Sequence, residues 1–244
     1  MPKLEAYSRK LNYSYALGVF PSLMLMEAHP EKAQRLLLHP EGLKNEGVAK
    51  LRAMCEKLGV REEMAERVLR RESRKDNCFA GLVFEKFDSD LDPNECHAVL
   101  CQISDAGNLG TALRSLLGFG IHDVALIRPC VDVFEPHSLR SSMGAFYKMR
   151  VRTFDNFDQY RALHPERKLY PFMLDGAITL NEAAAKAEKP FTLIFGNEAS
   201  GLPAEFATYG QSVMIPQSDE IDSLNLGVAV SVGSYVFLHG GKEK

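Results

Sequence analysis

Short apolar runs alternate with helical patterns through the carboxyl-terminal part of this sequence. After Cys96, six runs have the composition of buried strands, and most of them are followed by apolar residues at helical spacing. Such alternation predicts an α/β fold with a parallel sheet covered on both faces. The predicted strands are residues 98–103, 124–127, 148–152, 169–174, 191–195 and 213–215.

Residues 1–88 show a different pattern, typical of a small α/β module. The predicted elements are a helix around Leu25, a strand at 34–38, helices at 48–58 and 64–69, and a strand at 78–87. The polar, proline-containing run 89–95 predicts a linker. The sequence therefore predicts an amino-terminal domain (1–88), a linker (89–95) and a carboxyl-terminal domain (96–244).

Three polar loops in the carboxyl-terminal domain follow predicted strands. They are residues 104–108, which lead into a helix carrying Arg114, residues 196–201, and residues 216–225. In open α/β sheets, ligands bind in the crevice beyond the carboxyl ends of the strands, where backbone groups are free. We therefore expect the active site at these loops.

Each loop also has a purely structural interpretation. Gly196, Asn197 and Glu198 fit a turn with a solvated glutamate. Ser223 fits the N-cap of the apolar helix that is predicted at 228–238. Arg114 fits a solvated position on a helix surface, although its planar guanidinium would also suit bidentate binding of a phosphate.

Taken together, the three loops resemble a known family. Residues 108–114 with Gly118 and Gly120, residues 194–201, and residues 215–225 are similar to the three ordered motifs of the SpoU-type (TrmH-like) RNA 2′-O-ribose methyltransferases of the SPOUT class. Residues 142–145 also resemble a short segment between the first two motifs. The similarity spans about residues 96–238. At Ala106 the sequence departs from the family, in which many members have proline.

The resemblance implies a trefoil knot in the carboxyl-terminal domain, S-adenosyl-L-methionine as the cofactor, and methylation of a ribose 2′-OH in structured RNA, with rRNA favoured over tRNA. It also implies a ribosomal-protein-like RNA-binding domain in residues 1–88 and a homodimer formed through the catalytic domain. The residues implied in catalysis are Arg114, Asn108, Glu198, Ser223 and Asn225. Those implied in binding the cofactor are Leu174, Asp175, Gly176, Phe195, Gly196, Asn197, Gly201, Ile215, Pro216, Leu224 and Asn225.

The charge distribution separates the two domains. The whole chain carries −3, but residues 1–88 hold 16 Lys and Arg against 13 Asp and Glu, or +3, which leaves −6 for the remainder. The densest basic cluster consists of Arg67, Arg70, Arg71, Arg74 and Lys75, at spacings that place the arginines along one helical face. We expect this cluster to contact RNA phosphates, with a solvated face as the structural alternative.

Composition narrows the compartment. The five cysteines include no C-x-x-C pair or nearby histidine at ligand spacing, so neither a metal site nor a disulfide framework is predicted. We expect a reducing cytoplasm, and no apolar stretch is long enough for a membrane span.

Two other functions compete with methyl transfer. The first is an RNA-binding protein of the same fold without activity. The second is a dinucleotide-binding oxidoreductase, suggested by Gly107 and Gly110 after a strand, although the full G-x-G-x-x-G pattern is missing. An active enzyme is favoured over the first by the presence of Arg114, Asn197, Glu198 and Asn225. The position of the polar loops disfavours the second.

Overall fold

A computed structural model describes residues 4–75 and 77–240. The chain divides into two compact units: the first is Met1–Phe87 with Asp132–Lys148, and the second is Asp88–Val131 with Met149–Lys244. In chain order the elements are β1 (Tyr13–Leu17), α1 (Val19–Ala28), β2 (Ala33–Leu38), α2 (Glu46–Lys57), β3 (Arg61–Met64), α3 (Glu66–Ser73), β4 (Ala80–Glu85), β5 (His97–Cys101), α4 (Ala106–Phe119), β6 (Asp123–Ile127), α5 (Pro136–Ser141), β7 (Arg150–Phe154), α6 (Phe157–Leu163), β8 (Lys168–Pro171), β9 (Ile178–Thr179), α7 (Leu180–Lys186), β10 (Phe191–Phe195), β11 (Val213–Met214) and α8 (Leu226–His239).

The first unit is built on a four-stranded sheet in the order β1-β4-β2-β3. Two of its strands, β1 and β3, are absent from the sequence-based prediction. The apolar run that begins at Tyr13 first forms β1. Gly18, at φ 103°, then ends this strand before α1 begins. The edge strand β3 is polar, and Arg52 binds its Glu62 in a bidentate pair at 2.7 and 2.8 Å. The pattern did not separate β1 from the apolar residues of α1 that follow it, and it did not indicate β3 because that strand is polar.

Residues 132–148 pack with the first unit, although the sequence assigned them to the carboxyl-terminal domain. They supply Phe134 and Phe146, whose ring centroids lie 5.2 Å apart, and Phe146 in turn lies 5.5 Å from Phe87. Such aromatic pairs contribute about 0.5–1.5 kcal/mol each beyond their buried area. The Arg140 guanidinium also donates to the Ser73 carbonyl oxygen at 2.6 Å, at the end of α3. A distant segment therefore completes the core of this unit.

The second unit contains a five-stranded sheet in the order β7-β6-β5-β10-β8, and all four pairings are parallel. The predicted parallel sheet is confirmed. Every residue of β5, β6 and β10 is buried, which explains why these strands are continuous apolar runs in the sequence. Helices α4 and α8 pack together, and Ser231 Oγ donates to Ser115 Oγ at 2.7 Å.

The predicted linker 89–95 is part of the second unit in the structure. Leu91 is buried, and the backbone N–H of Asp92 donates to Asp123 Oδ1 at 2.8 Å. Asp123 is fully buried and also accepts two hydrogen bonds from the Arg150 guanidinium, at 2.7 and 2.5 Å. The segment is therefore held against the second unit by Leu91 and by the backbone of Asp92, and it is not a free connection. No helix within the described residues has the length and apolar character needed to cross a bilayer.

Candidate active site

The site lies where the strand order of the second unit reverses. From β5 the chain continues to β6 and β7 on one side, whereas β10 and β8 lie on the other side. Such a switch point leaves a crevice between the loops that follow the two central strands. The loops after β5 and β10 are the first two motifs found in the sequence, and the structure brings them together.

The loop after β10 folds back on itself. Asn197 and Gly201 exchange backbone hydrogen bonds at 3.2 and 3.0 Å, and Asn197 Oδ1 accepts from the N–H groups of Ala199 and Ser200 at 2.9 and 3.2 Å. A Cβ on Gly196 would lie only 2.2 Å from the Gly201 carbonyl carbon. The predicted turn is therefore present, and this close approach of backbone to backbone accounts for Gly196.

Glu198 is not the solvated turn residue of the structural alternative. One carboxylate oxygen accepts from the backbone N–H and hydroxyl of Ser104 at 3.3 and 3.2 Å. The other accepts from the N–H of Asp105 and from Asn108 Nδ2, both at 3.2 Å. Asn197 Nδ2 donates to the first of these oxygens, the one that faces Ser104, at 3.3 Å. The carboxylate thus joins the loop after β10 to the loop after β5 and the first turn of α4.

These hydrogen bonds stabilise the ionised form of the Glu198 carboxyl group. Partial burial opposes the charged form, but donors on the local backbone, Asn108, Ser104 and Asp105 outweigh it and hold the pKa of this carboxyl below its usual range. An ionised carboxylate whose lone pairs are already occupied is poorly suited to take a proton from a substrate. The geometry instead suits Glu198 to positioning the loops.

Asn108 connects this pair of loops to the third motif. Its side-chain oxygen accepts from Asn225 Nδ2 at 3.0 Å, and Asn225 Oδ1 accepts from the N–H of Gly227 at 2.8 Å. Asn225 is therefore the N-cap of α8, which begins at Leu226, two residues before the predicted start. The alternative that Ser223 caps this helix is wrong, because Asn225 satisfies the helix N-terminus and leaves the Ser223 side chain exposed.

A cavity of about 350 Å³ lies beside this network, within the size range of small-molecule sites. It is lined by residues from the loops after β8, β10 and β11 and from the start of α8. The predicted site residues among its lining are Leu174, Asp175, Phe195, Gly196, Asn197, Glu198, Gly201, Ile215, Ser223 and Leu224.

Other predicted site residues lie outside the cavity lining. Gly176 and Pro216 are next to lining residues in the chain, and a Cβ on Gly176 would lie 2.4 Å from the Val213 carbonyl carbon. Asn108 and Asn225 belong to the hydrogen-bond chain described above. Arg114 is exposed on α4, and no hydrogen bond or ion pair to it is present within residues 4–75 and 77–240.

Sequence reasoning missed several residues of this site, of which Asp222 and Gln102 bear most on its chemistry and geometry. Asp222 lines the cavity, but its polar loop offers no periodicity that would indicate its direction. Gln102, directly after β5, has φ 57°, and its carbonyl oxygen accepts from Asn197 Nδ2 at 2.8 Å. Positive φ is costly for a residue with a side chain and marks a backbone held by its surroundings. Nothing in the local sequence identifies this position.

The basic cluster of the first unit is not uniform. The Arg71 guanidinium donates to the carbonyl oxygens of Leu4 and Glu5 at 3.3 and 2.8 Å, so it anchors the amino-terminal segment. Arg70 lies 3.5 Å from Glu66 in an i,i+4 pair. Arg67, Arg74 and Lys75 are exposed. These three side chains are the members of the cluster best placed to contact a ligand.

Glu198→Gln is expected to destabilise the second unit at neutral pH. The amide would place an NH₂ group against donors that now meet a carboxylate, and an unsatisfied polar group costs about 1–3 kcal/mol. Because the folded-state pKa of Glu198 is lowered, its stabilising contribution is present at neutral pH and is lost as the pH falls through that pKa. The free energy of unfolding measured in urea should be lower for Glu198→Gln than for the wild type at pH 7. This difference should be smaller at pH 4. Glu220→Gln, an exposed glutamate in a loop of the same unit, is the control, and an equal effect at both pH values would contradict the assignment.

Comparisons with known proteins agree with this geometry. The sequence model of the SpoU rRNA Methylase family matches residues 95–235, which include all three motifs. An uncharacterized tRNA/rRNA methyltransferase from Synechocystis sp. is 34% identical over 146 residues, covering 56% of this chain and 50% of that protein. The chain spans about half the length, or less, of the curated relatives that it matches.

Solved structures share the fold over nearly the whole chain. The AdoMet-bound rRNA methyltransferase from Sinorhizobium meliloti has a TM-score of 0.79 at 24% identity, covering 92% of this chain and 86% of that one. A structure described as an RNA 2′-O ribose methyltransferase has a TM-score of 0.76 at 22% identity, covering 94% and 89%. At these identities the similarity shows a common fold.

Proposed function

The chain belongs to the SpoU rRNA methylase family, and from that membership and its site we propose that it transfers a methyl group from S-adenosyl-L-methionine to a ribose 2′-OH in structured RNA. We favour rRNA over tRNA as the substrate. The observation that carries the proposal is the meeting of all three family motifs at one switch point, joined by the hydrogen bonds of Glu198, Asn108 and Asn225.

The cavity fits the proposed cofactor in size and in chemistry. SpoU methyltransferases use S-adenosylmethionine, which supplies an electrophilic methyl group on a positively charged sulfur. Apolar Leu174, Ile215 and Leu224 line the cavity and can flank an adenine ring. Among the residues that the structure describes, no lysine, arginine or histidine lines it. The carboxylates of Asp175, Glu198 and Asp222 line it instead and would repel a pyrophosphate, which argues against the dinucleotide-binding alternative.

The polar residues of the site have separable roles in this proposal. Asn108, Glu198 and Asn225 hold the three loops in one arrangement, and the exposed Ser223 hydroxyl lines the cavity where it can orient the ribose. Arg114 binds the target phosphate and stabilises the developing alkoxide. It is not the base, because a guanidinium stays protonated in proteins. The rate of in-line methyl transfer depends mainly on holding the methyl donor and the attacking hydroxyl in alignment.

Relatives and fold support the remaining parts of the proposal. The rRNA methyltransferase from Sinorhizobium meliloti and the RNA 2′-O ribose methyltransferase share the fold, and their described activities support the substrate class and the target hydroxyl. We infer the carboxyl-terminal trefoil knot from the family membership. The positive excess of residues 1–88 supports an RNA-binding role for the first unit. Five free cysteines fit a reducing cytoplasm.

The test is direct methylation of RNA. The purified protein is incubated with isotopically labelled S-adenosyl-L-methionine and either rRNA or tRNA from cells that lack it, and the digested nucleosides are identified by mass spectrometry. Label in a 2′-O-methylated nucleoside from rRNA is the expected result. Label on a base would contradict the ribose assignment. RNA binding with no label in either RNA would favour the alternative of an inactive RNA-binding protein.

We expect a homodimer formed through α8. Val228, Val232 and Tyr235 lie on one face of this helix at i, i+4 and i+7, and they are 47, 36 and 52% exposed. An apolar stripe of this kind marks an interaction surface. Val232→Asp should yield a monomer by light scattering at micromolar concentration, whereas Leu58→Asp, at a 55% exposed position of the first unit, should not. A wild-type protein that is monomeric and fully active would contradict the dimer.

A further inference from the structure

The side chains around the cavity carry charge of only one sign. Asp175, Glu198 and Asp222 line it, and no cationic side chain does so within the described part of the chain. Low-dielectric walls focus the field of such groups into the cleft. The shape of the cavity is defined mainly by apolar side chains and backbone groups. Replacing an aspartate by asparagine would therefore remove a negative charge with little change in that shape.

Two of the three carboxylates remain available to a ligand. Glu198 is occupied by Ser104, Asp105 and Asn108, as described above. The Asp175 and Asp222 side chains make no hydrogen bond or ion pair with any residue in 4–75 or 77–240. Both are exposed at the cavity, where a bound molecule can approach them.

We propose that Asp175 and Asp222 make the site selective for the positively charged sulfonium cofactor over its neutral thioether product. This inference rests on the proposed methyl transfer. In that reaction the sulfur–methyl bond breaks and its electron pair stays on sulfur, a bond forms from the methyl carbon to the ribose oxygen, and the hydroxyl proton is released to solvent. The sulfur loses its positive charge, and the two carboxylates therefore attract the cofactor before transfer more than afterwards.

The expected size of the effect follows from the exposure of these carboxylates. Charge pairs in solvent-exposed settings typically change affinity by about two- to fivefold, so each single substitution should weaken cofactor binding by that factor. The attraction should also fall with added salt, because exposed charges are screened. Binding of the neutral thioether should change less than twofold and should respond weakly to salt.

The experiment is calorimetric titration of the full chain with S-adenosyl-L-methionine and, separately, S-adenosyl-L-homocysteine, at about 50 and 300 mM salt. The variants are Asp175→Asn, Asp222→Asn and the double variant. Asp219→Asn is the matched control, because it removes the same charge from the same loop as Asp222 without lining the cavity. The double variant should lose about tenfold in affinity for the sulfonium and little for the thioether, while the control stays unchanged.

The outcomes separate this inference from the function on which it rests. If the wild-type protein binds both ligands and the double variant weakens them equally, or not at all, the selectivity is overturned and the proposed function stands. An equal loss in the Asp219→Asn control would assign the effect to the net charge of the loop and would also overturn the role of the two residues. If the wild-type protein binds neither ligand, the proposed function fails together with the inference.

Discussion

Arg114→Ala is expected to slow methyl transfer by about 10²–10³-fold, the usual cost of deleting a group that stabilises charge in the transition state. The Kd of the cofactor should stay within a few-fold, because Arg114 is exposed on α4 and does not line the cavity. Single-turnover methylation and calorimetric titration of the cofactor measure the two quantities separately. Their contrast distinguishes a residue that acts on the RNA from one that holds the cofactor.

Two controls sharpen the Arg114 prediction. Arg114→Lys keeps the positive charge but loses the planar guanidinium that can bind a phosphate through two hydrogen bonds. Its rate of methyl transfer should therefore lie between that of Arg114→Ala and that of the wild type. Arg161→Ala removes an arginine from α6 of the same unit and should leave the rate unchanged. Parallel losses of cofactor affinity and rate in Arg114→Ala would place this side chain in the cofactor site and would contradict the proposed role.

Joint substitution of Arg67, Arg74 and Lys75 by alanine is expected to weaken RNA binding and to flatten its dependence on salt. Each phosphate contact contributes roughly 0.7–0.9 to the slope of log K against log salt concentration, so three contacts should lower the slope by about 2–3. Residues 89–244 carry −6 and therefore contribute little to this sequence-independent attraction. RNA affinity measured at several salt concentrations gives the slope directly.

The control for this prediction removes the same charge elsewhere in the first unit. Lys44, Lys50 and Lys57, in and next to α2, are exposed and can be replaced together by alanine. Equal flattening in both triple variants would mean a diffuse attraction rather than a defined contact. Arg71 is left intact in both, since its bonds to the Leu4 and Glu5 carbonyl oxygens give it a structural role that would confuse the result.

Deleting residues 1–88 is not an equivalent test of the first unit. Residues 132–148 remain in such a protein, and Phe134 and Phe146 would lose their aromatic partner Phe87 and the sheet of this unit. Large exposed apolar surface of this kind favours aggregation. Point substitutions on the exposed surface keep that core intact and therefore isolate the effect of charge.

Much of the second unit follows from local sequence patterns. The runs that form β5, β6 and β10 are apolar on both faces because parallel strands in this fold are covered on both faces, and that pattern is visible without any partner. The polar loops after the strands are also visible locally, since glycine and asparagine mark turns wherever they occur. The sequence by itself therefore determined the parallel sheet, the three loops and the family resemblance.

Tertiary structure decided which groups meet and what each carboxylate does. Glu198 lies 90 residues from Asn108, and Asn225 lies 117 residues from it, so their contacts depend on strand order and helix packing rather than on neighbours in the chain. The same reason explains why residues 132–148 join the first unit and why Asp222, but not Asp219, lines the cavity. The local sequence around Glu198 is equally compatible with a solvated turn residue and with a residue that holds several loops together. The hydrogen-bond donors contributed by distant segments give Glu198 the second role.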